Sequence, residues 1–122
     1  MGLPRTCRAF GRMLLILIAL LFSAPACHAA APPPITNPLP VDGAQNQSII
    51  STALDWDNSP GADGYHVFFD TTFPPAYNAS IIDSVFDPEA LNFYTTYYWK
   101  IVAYNVDGNS TDVTGAYRTE PD

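Results

Sequence analysis

The sequence predicts an all-β fold, a seven-stranded β-sandwich, on three observations. Short runs rich in aromatic and β-branched residues recur along the chain, separated by clusters of Gly, Pro, Asn and Asp. Twelve prolines in 122 residues leave little room for long helices, and no segment shows a helical hydrophobic period. The clearest run is Tyr97-Tyr98-Trp99-Lys100-Ile101-Val102-Ala103-Tyr104-Asn105. Alternation places Tyr97, Trp99, Ile101 and Ala103 on one face and Tyr98, Lys100, Val102 and Tyr104 on the other. One face is apolar and the other is mixed, the pattern of a central strand in a sheet covered on one side.

Residues 1–29 read as a secretory signal peptide. Arg5, Arg8 and Arg12 form a basic head, residues 13–22 are an apolar run, and small residues follow with Ala24-Pro25-Ala26 and Cys27-His28-Ala29 as candidate exits. The apolar run is well short of the about 20 residues that a membrane span needs, so no span is expected. The protein is expected to be secreted or periplasmic. Cys27 resembles the modified residue of bacterial lipoproteins, although Ala24-Pro25-Ala26 departs from their Leu-led, proline-free pattern. A lipid anchor at the cell surface through Cys27 is the alternative.

Without the leader, only Lys100 and Arg118 remain against twelve acidic residues, two positive charges against twelve negative ones. Such a surface repels nucleic acid, whose binding needs Lys and Arg to neutralise phosphates. Both cysteines, Cys7 and Cys27, lie in the leader, so no disulfide can staple the folded part and the core must hold alone.

Residues 30–34 form a Pro-rich linker, expected as a semi-rigid spacer, and residues 35–121 form the domain. Ile35 to Val41 carries two prolines and is expected as a first, edge strand, ended by a turn at Asp42-Gly43. Residues 49–56 are expected as the second strand, with Leu54 and Trp56 on one face. After a loop at 57–64, Tyr65-His66-Val67-Phe68-Phe69 gives the third, with Tyr65 and Val67 on one face and His66 and Phe68 on the other. Residues 71–79 read as loop, Ile81-Ile82 as a short edge strand, and Ser84-Val85-Phe86 as a fifth strand stopped by Asp87-Pro88. The main strand is the sixth, Val106-Asp107-Gly108-Asn109 a hairpin loop, and residues 111–119 the seventh strand.

These residues together resemble a fibronectin type III domain of the kind found in bacterial secreted proteins, an immunoglobulin-like sandwich. The resemblance rests on Leu54-Asp55-Trp56, on Pro60-Gly61-Ala62-Asp63-Gly64-Tyr65-His66-Val67, and on Leu91 six residues before Tyr97. The alternation Tyr97, Trp99, Ile101, Ala103, Asn105 leading to Gly108, and the closing Tyr117-Arg118-Thr119, also fit. It spans nearly all of the chain beyond the leader. One departure is Phe93-Tyr94, where family members usually place Pro-Gly; it leaves the form of that turn open but not the Leu91–Tyr97 spacing. The resemblance implies that Leu54, Trp56, Tyr65, Val67, Leu91, Tyr97, Trp99 and Ile101 build the core. It also implies that the Tyr97 hydroxyl bonds to backbone a few residues upstream, the partner a buried phenol needs.

Chemistry has little to work with. Outside the leader there is one histidine, His66, with no cysteine and no Gly-x-Ser-x-Gly elbow to frame a serine; no catalytic residue and no cofactor is expected. Asp55, Asp57, Asn58 and Asp63 are oxygen ligands close in sequence, but Pro60-Gly61 breaks the order of a calcium loop, so no metal site is expected. In the family's arrangement the third and sixth strands are neighbours, which gathers His66, Phe68, Tyr98, Lys100, Val102 and Tyr104 on a face open to water. That is the candidate binding face, with loops 57–64, 71–79 and 106–110 as alternatives. The expected function is a non-catalytic interaction or spacer module for a protein partner, or an accessory module that contacts polysaccharide through exposed aromatics.

Overall fold

The computed structural model describes residues 30–122; the leader expected at residues 1–29, with Cys7 and Cys27, lies outside the described residues. Among the described residues there are nine β-segments: β1 Thr36–Leu39, β2 Ala44–Gln47, β3 Leu54–Asp57, β4 Gly64–Asp70, β5 Tyr77–Ile81, β6 Val85–Phe86, β7 Thr96–Asn105, β8 Gly108–Asn109 and β9 Val113–Thr119. They form a smaller sheet of order β1-β3-β6 and a larger one of order β2-β9-β7-β4-β5, with β8 paired to β7. All pairings are antiparallel except β2 with β9. The result is the immunoglobulin-like sandwich expected from the sequence.

Seven expected strands become nine segments because an unexpected strand, β2, follows the Asp42-Gly43 turn and the last hairpin carries the two-residue β8. Gly43, at φ +89°, turns the chain out of the smaller sheet, with the Ala44 amide donating to the Val41 carbonyl at 3.0 Å. The crossing is tied to β9 on both sides. The Gly43 amide donates to the Ala116 carbonyl at 2.7 Å, and the Ala116 amide donates to Asp42 Oδ1 at 2.9 Å. The next residues therefore add to the edge of the larger sheet as β2.

Three boundaries differ from expectation for local reasons. The second strand begins at Leu54, not Ile49, because Ser48 Oγ accepts the amides of Ile50 (3.1 Å) and Ser51 (3.2 Å) and bends the chain into a turn. The edge strand is β5, which begins at Tyr77 and ends at Ile81, so Ile82 projects into water at 76% exposure. The last strand starts at Val113, after Ser110 Oγ has accepted the Ala103 amide at 2.9 Å and closed the hairpin.

Residues 30–34, expected as a spacer, lie against the domain instead. Pro32 is buried, the Pro33 carbonyl accepts from Ser59 Oγ at 2.6 Å, and the Ala30 carbonyl accepts from Asn105 Nδ2 at 3.1 Å. A polyproline segment has free carbonyls, and the loops at this end supply the donors that hold them.

The core lies between the sheets. Leu54 and Trp56 from β3 meet Tyr65 and Val67 from β4 and Tyr97, Trp99 and Ile101 from β7; with Leu91, Ile35, Ala103 and Tyr117, each is at most 8% exposed. The Trp56 and Tyr65 rings meet edge to face at 5.3 Å between centroids, and Phe69 stacks on Tyr97 at 5.1 Å. Trp99 needs Gly115 opposite it on β9, since any Cβ there would overlap the indole ring. Burying a large side chain of this kind contributes about 1.5–3 kcal/mol each, and the described residues contain no cysteine.

The turn into β7 is held by its own polar groups. Tyr97 Oη accepts the Asn92 amide at 2.9 Å, while the Asn92 carbonyl accepts from Thr119 Oγ1 at 2.6 Å. Tyr94 takes φ +48°, the left-handed conformation that glycine enters without cost, and its amide donates to the Glu120 carbonyl at 2.8 Å. The turn thus keeps its form without a Pro-Gly pair.

Candidate functional site

Register fixes which side chains share the outer face of the larger sheet. Across β4 and β7 the pairs His66↔Val102, Phe68↔Lys100 and Asp70↔Tyr98 point away from the core, since the alternate pairs Tyr65↔Ala103 and Val67↔Ile101 point into it. On β5, Ser80 pairs with His66 and Tyr77 with Phe68, which extends the face by one strand. On β9, Thr114 pairs with Lys100 and Ala116 with Tyr98, closing the other side.

The rings on this face pack against one another. His66 stacks on Tyr104 with centroids 4.3 Å apart and meets Tyr77 at 6.3 Å. Phe68 meets Tyr77 edge to face at 5.6 Å, and Phe73, from the loop before β5, tilts against Tyr98 at 5.7 Å. Lys100 spans the middle. Its ammonium lies 4.2 Å from the Phe68 centroid and 3.5 Å from Asp112 Oδ2, a cation held by a ring and by a carboxylate. The other cation among residues 30–122, Arg118, lies 4.6 Å from the Tyr94 centroid and donates to Thr96 Oγ1 at 3.2 Å.

Polar groups run along the β5 side. Ser80 Oγ lies 2.6 Å from His66 Nδ1 and 2.9 Å from Tyr77 Oη, a chain of three groups across two strands. The serine and imidazole are at the distance a nucleophile and base would need. They sit on an open sheet, however, with one imidazole face covered by Tyr104, an arrangement that fixes the ring in place. At the other end, Asp42, Phe73, Tyr98, Thr114, Gly115 and Ala116 line a shallow slot of about 320 Å³.

Of the six residues expected on this face, His66, Phe68, Tyr98, Lys100 and Tyr104 remain partly exposed. Val102 does not: it is 5% exposed, because His66 opposite it and Lys100 and Tyr104 on either side along the strand are larger and close over it. Two contributors were not legible beforehand, Tyr77 at 58% exposure and Phe73 at 70%. Pro74-Pro75 made the whole of 71–79 resemble loop, which hid the strand that places Tyr77 next to Phe68.

Of the alternative loops, 71–79 supplies Phe73 and Tyr77 to this same face, and 57–64 is held by local hydrogen bonds. Ser59 and Asn105 hold residues 30–34, and Asn105 Nδ2 also donates to the Gly61 carbonyl at 3.2 Å. Asp57 Oδ2 accepts from Asn37 Nδ2 at 2.6 Å, and Asn58 Oδ1 accepts from Tyr65 Oη at 3.4 Å. Among the described residues no group of three or more His, Cys, Asp or Glu could hold a metal, and no helix is long and apolar enough to cross a membrane.

Comparison with solved structures finds the fibronectin type III fold. The chain is similar to FN3tt, with a TM-score of 0.59 at 22% identity, over 77% of this chain and 100% of that one. It is similar to the fibronectin type-III domain of human fibronectin type III domain containing protein 3, with a TM-score of 0.59 at 19% identity, covering 78% and 92%. An Fn3-like protein from Clostridium thermocellum gives 0.53 at 20% identity, covering 76% and 94%. No protein-family model and no curated protein matches the chain.

Proposed function

We propose that this fibronectin type III fold serves as a non-catalytic interaction module on an exported chain, binding a protein partner through the outer face of its larger sheet. One observation carries the reading: rings from β4, β5, β7 and the loop before β5 gather in two groups, Phe68, Tyr77, His66 and Tyr104 in one and Phe73 with Tyr98 in the other, on a face that has no second layer over it among the described residues. Contiguous apolar surface of this kind marks contact sites, and tyrosines serve there because they combine an apolar ring with a polar tip. Both cations outside residues 1–29 lie on this face, Lys100 paired with Asp112, and Asp42 and Asp70 lie beside Tyr98, so polar and charged groups surround the rings. The basic head and apolar run of residues 1–29 support export to the periplasm or medium.

The slot between Phe73 and Tyr98 favours a second reading, contact with polysaccharide. Against it, Lys100 lies over Phe68 and Tyr104 over His66, so these rings offer less free surface for a sugar to stack on.

A photo-crosslinking residue in place of Tyr98, with a control in place of Asp55 on the outside of the smaller sheet, tests the proposal in the protein's own host. The expected result is a discrete protein adduct from position 98 alone, lost when Phe68→Ala and Tyr104→Ala are added. Equal adducts from both sheets, or none from position 98, overturn it. Retention on polysaccharide that disappears in Tyr98→Ala with Tyr104→Ala moves the assignment to the second reading. Mass spectrometry of the mature N-terminus separates a free exported chain from one anchored through a lipidated Cys27.

A further inference from the structure

Sheet edges present unpaired main-chain groups, and natural proteins blunt them with proline, charge, irregular backbone or brevity. Among the described residues, three of the four outer edges are blunted. β1 contains Pro38, with Asn37 at φ +51°; β2 has an irregular register, with Asn46 at φ +54°; β6 has only two residues. β5 differs. Its sequence Tyr77-Asn78-Ala79-Ser80-Ile81 has no proline and no charge, and it is regular against β4 at Ala79, Ser80 and Ile81, the one register shift falling at the Tyr77 end. Ile82, at 76% exposure, continues it with an apolar side chain in water.

We infer that the β5 edge is a strand-addition site, and that its occupant is an extended, Lys- or Arg-bearing segment of a partner protein. Strand addition takes its affinity from main-chain hydrogen bonds and its selectivity from the side chains beside them. Charge selects the occupant. Asp83 lies two residues past the edge and Asp70 ends the neighbouring strand, on a chain with two cations and twelve acids beyond residues 1–29. A second copy brings the same excess of negative charge to its own edge and is disfavoured; a cationic strand is attracted. The site uses main-chain groups rather than the rings of the outer face, so either assignment can fail without the other.

The probe is a synthetic peptide of about eight residues, a usual strand length, with alternating Val and Thr and lysines at both ends, added to the protein as isolated. Two control peptides carry glutamates at the ends, or N-methyl groups on alternate amides. The lysine-ended peptide is expected to bind and to slow amide hydrogen exchange within Tyr77–Ile81. Both controls are expected to weaken at least about tenfold, an effect of about 1.4 kcal/mol each. Equal binding of the N-methylated peptide removes the main-chain assignment, and equal binding of the glutamate-ended peptide removes the charge selection. Exchange slowed elsewhere, or no binding at all, overturns the site. A protein that sediments as a dimer with Tyr77–Ile81 already protected assigns the edge to a second copy and overturns the stated occupant.

Discussion

The two faces of β7 are made from the same kinds of residue and are held in different ways. Inward, Tyr97, Trp99, Ile101 and Ala103 are at most 6% exposed and share one cluster with Leu54 and Trp56 of the opposite sheet. Outward, Tyr98, Lys100 and Tyr104 stay half-exposed and are held only by neighbours at the same surface: Phe73, Phe68, Asp112 and His66. The inward residues lose water because a second layer covers them; the outward ones lean on each other. An alternating strand thus specifies two sets of side chains, and what comes to cover each set decides its energetics. Tyr97 and Tyr98 are chemically identical, and only their surroundings separate them.

The largest effect expected from this contrast is at Trp99. Trp99→Ala should cost about 3–5 kcal/mol, the usual range for deleting a buried aromatic. Tyr98→Ala, one residue away on the other face, should cost about 1 kcal/mol or less, the scale of a cross-strand pair. Urea midpoints of the two variants check this, and equal losses would erase the distinction between the faces. Next comes Gly115→Ala. Its new methyl would overlap the Trp99 ring, so a loss of about 1–3 kcal/mol is expected from overpacking. Adding Trp99→Phe should recover part of that loss, and a double-mutant cycle that returns no coupling would show that the contact does not limit the site.

A smaller effect tests the polar side of the inward face. Tyr97→Phe keeps the ring stacked on Phe69 but leaves the Asn92 amide without its acceptor. The expected loss is about 1 kcal/mol, the net value of one hydrogen bond. An unchanged denaturation midpoint would mean that the Thr119–Asn92 bond alone holds the corner.

Much of this architecture was legible because its signals are local. Alternation at Tyr97 to Ala103 and the six-residue step from Leu91 to Tyr97 depend on nothing distant in the chain. What was hidden depends on pairings the sequence does not display. Ala44-Gln45-Asn46-Gln47 has no apolar alternation, and becomes a strand only because the turn at Gly43 delivers it beside β9. Ile49 and Ile50 look like strand residues, yet the Ser48 hydroxyl captures the turn. Val102 belongs by parity to the outer face, but the size of its neighbours, not its position, removes it from water. The outer face could be assembled in outline from strand order; Tyr77 and Phe73 required the β4–β5 pairing itself.

The smallest effect at neutral pH is expected where the inward face carries a hydroxyl it does not use. Tyr117 pairs directly with Tyr97 across β7 and β9, with ring centroids 6.0 Å apart, yet its Oη is buried with no hydrogen-bond partner among the described residues. Tyr117→Phe should therefore be neutral or slightly stabilising at pH 7, since a desolvated hydroxyl without a partner opposes folding. Alkaline pH gives Tyr117 a second test. Burial first, then the neighbouring Tyr97 and Asp87, pushes the Tyr117 phenol well above its ordinary value. The folded state then holds this proton more tightly than the unfolded chain. Its contribution to stability is complete below the unfolded pKa of about 10 and is lost as pH rises beyond it toward the folded value. Stability of the native sequence should fall more steeply above that pH than stability of Tyr117→Phe, in urea titrations run side by side. Parallel curves would place the phenol in contact with water and move Tyr117 out of the dry interior that separates one face of β7 from the other.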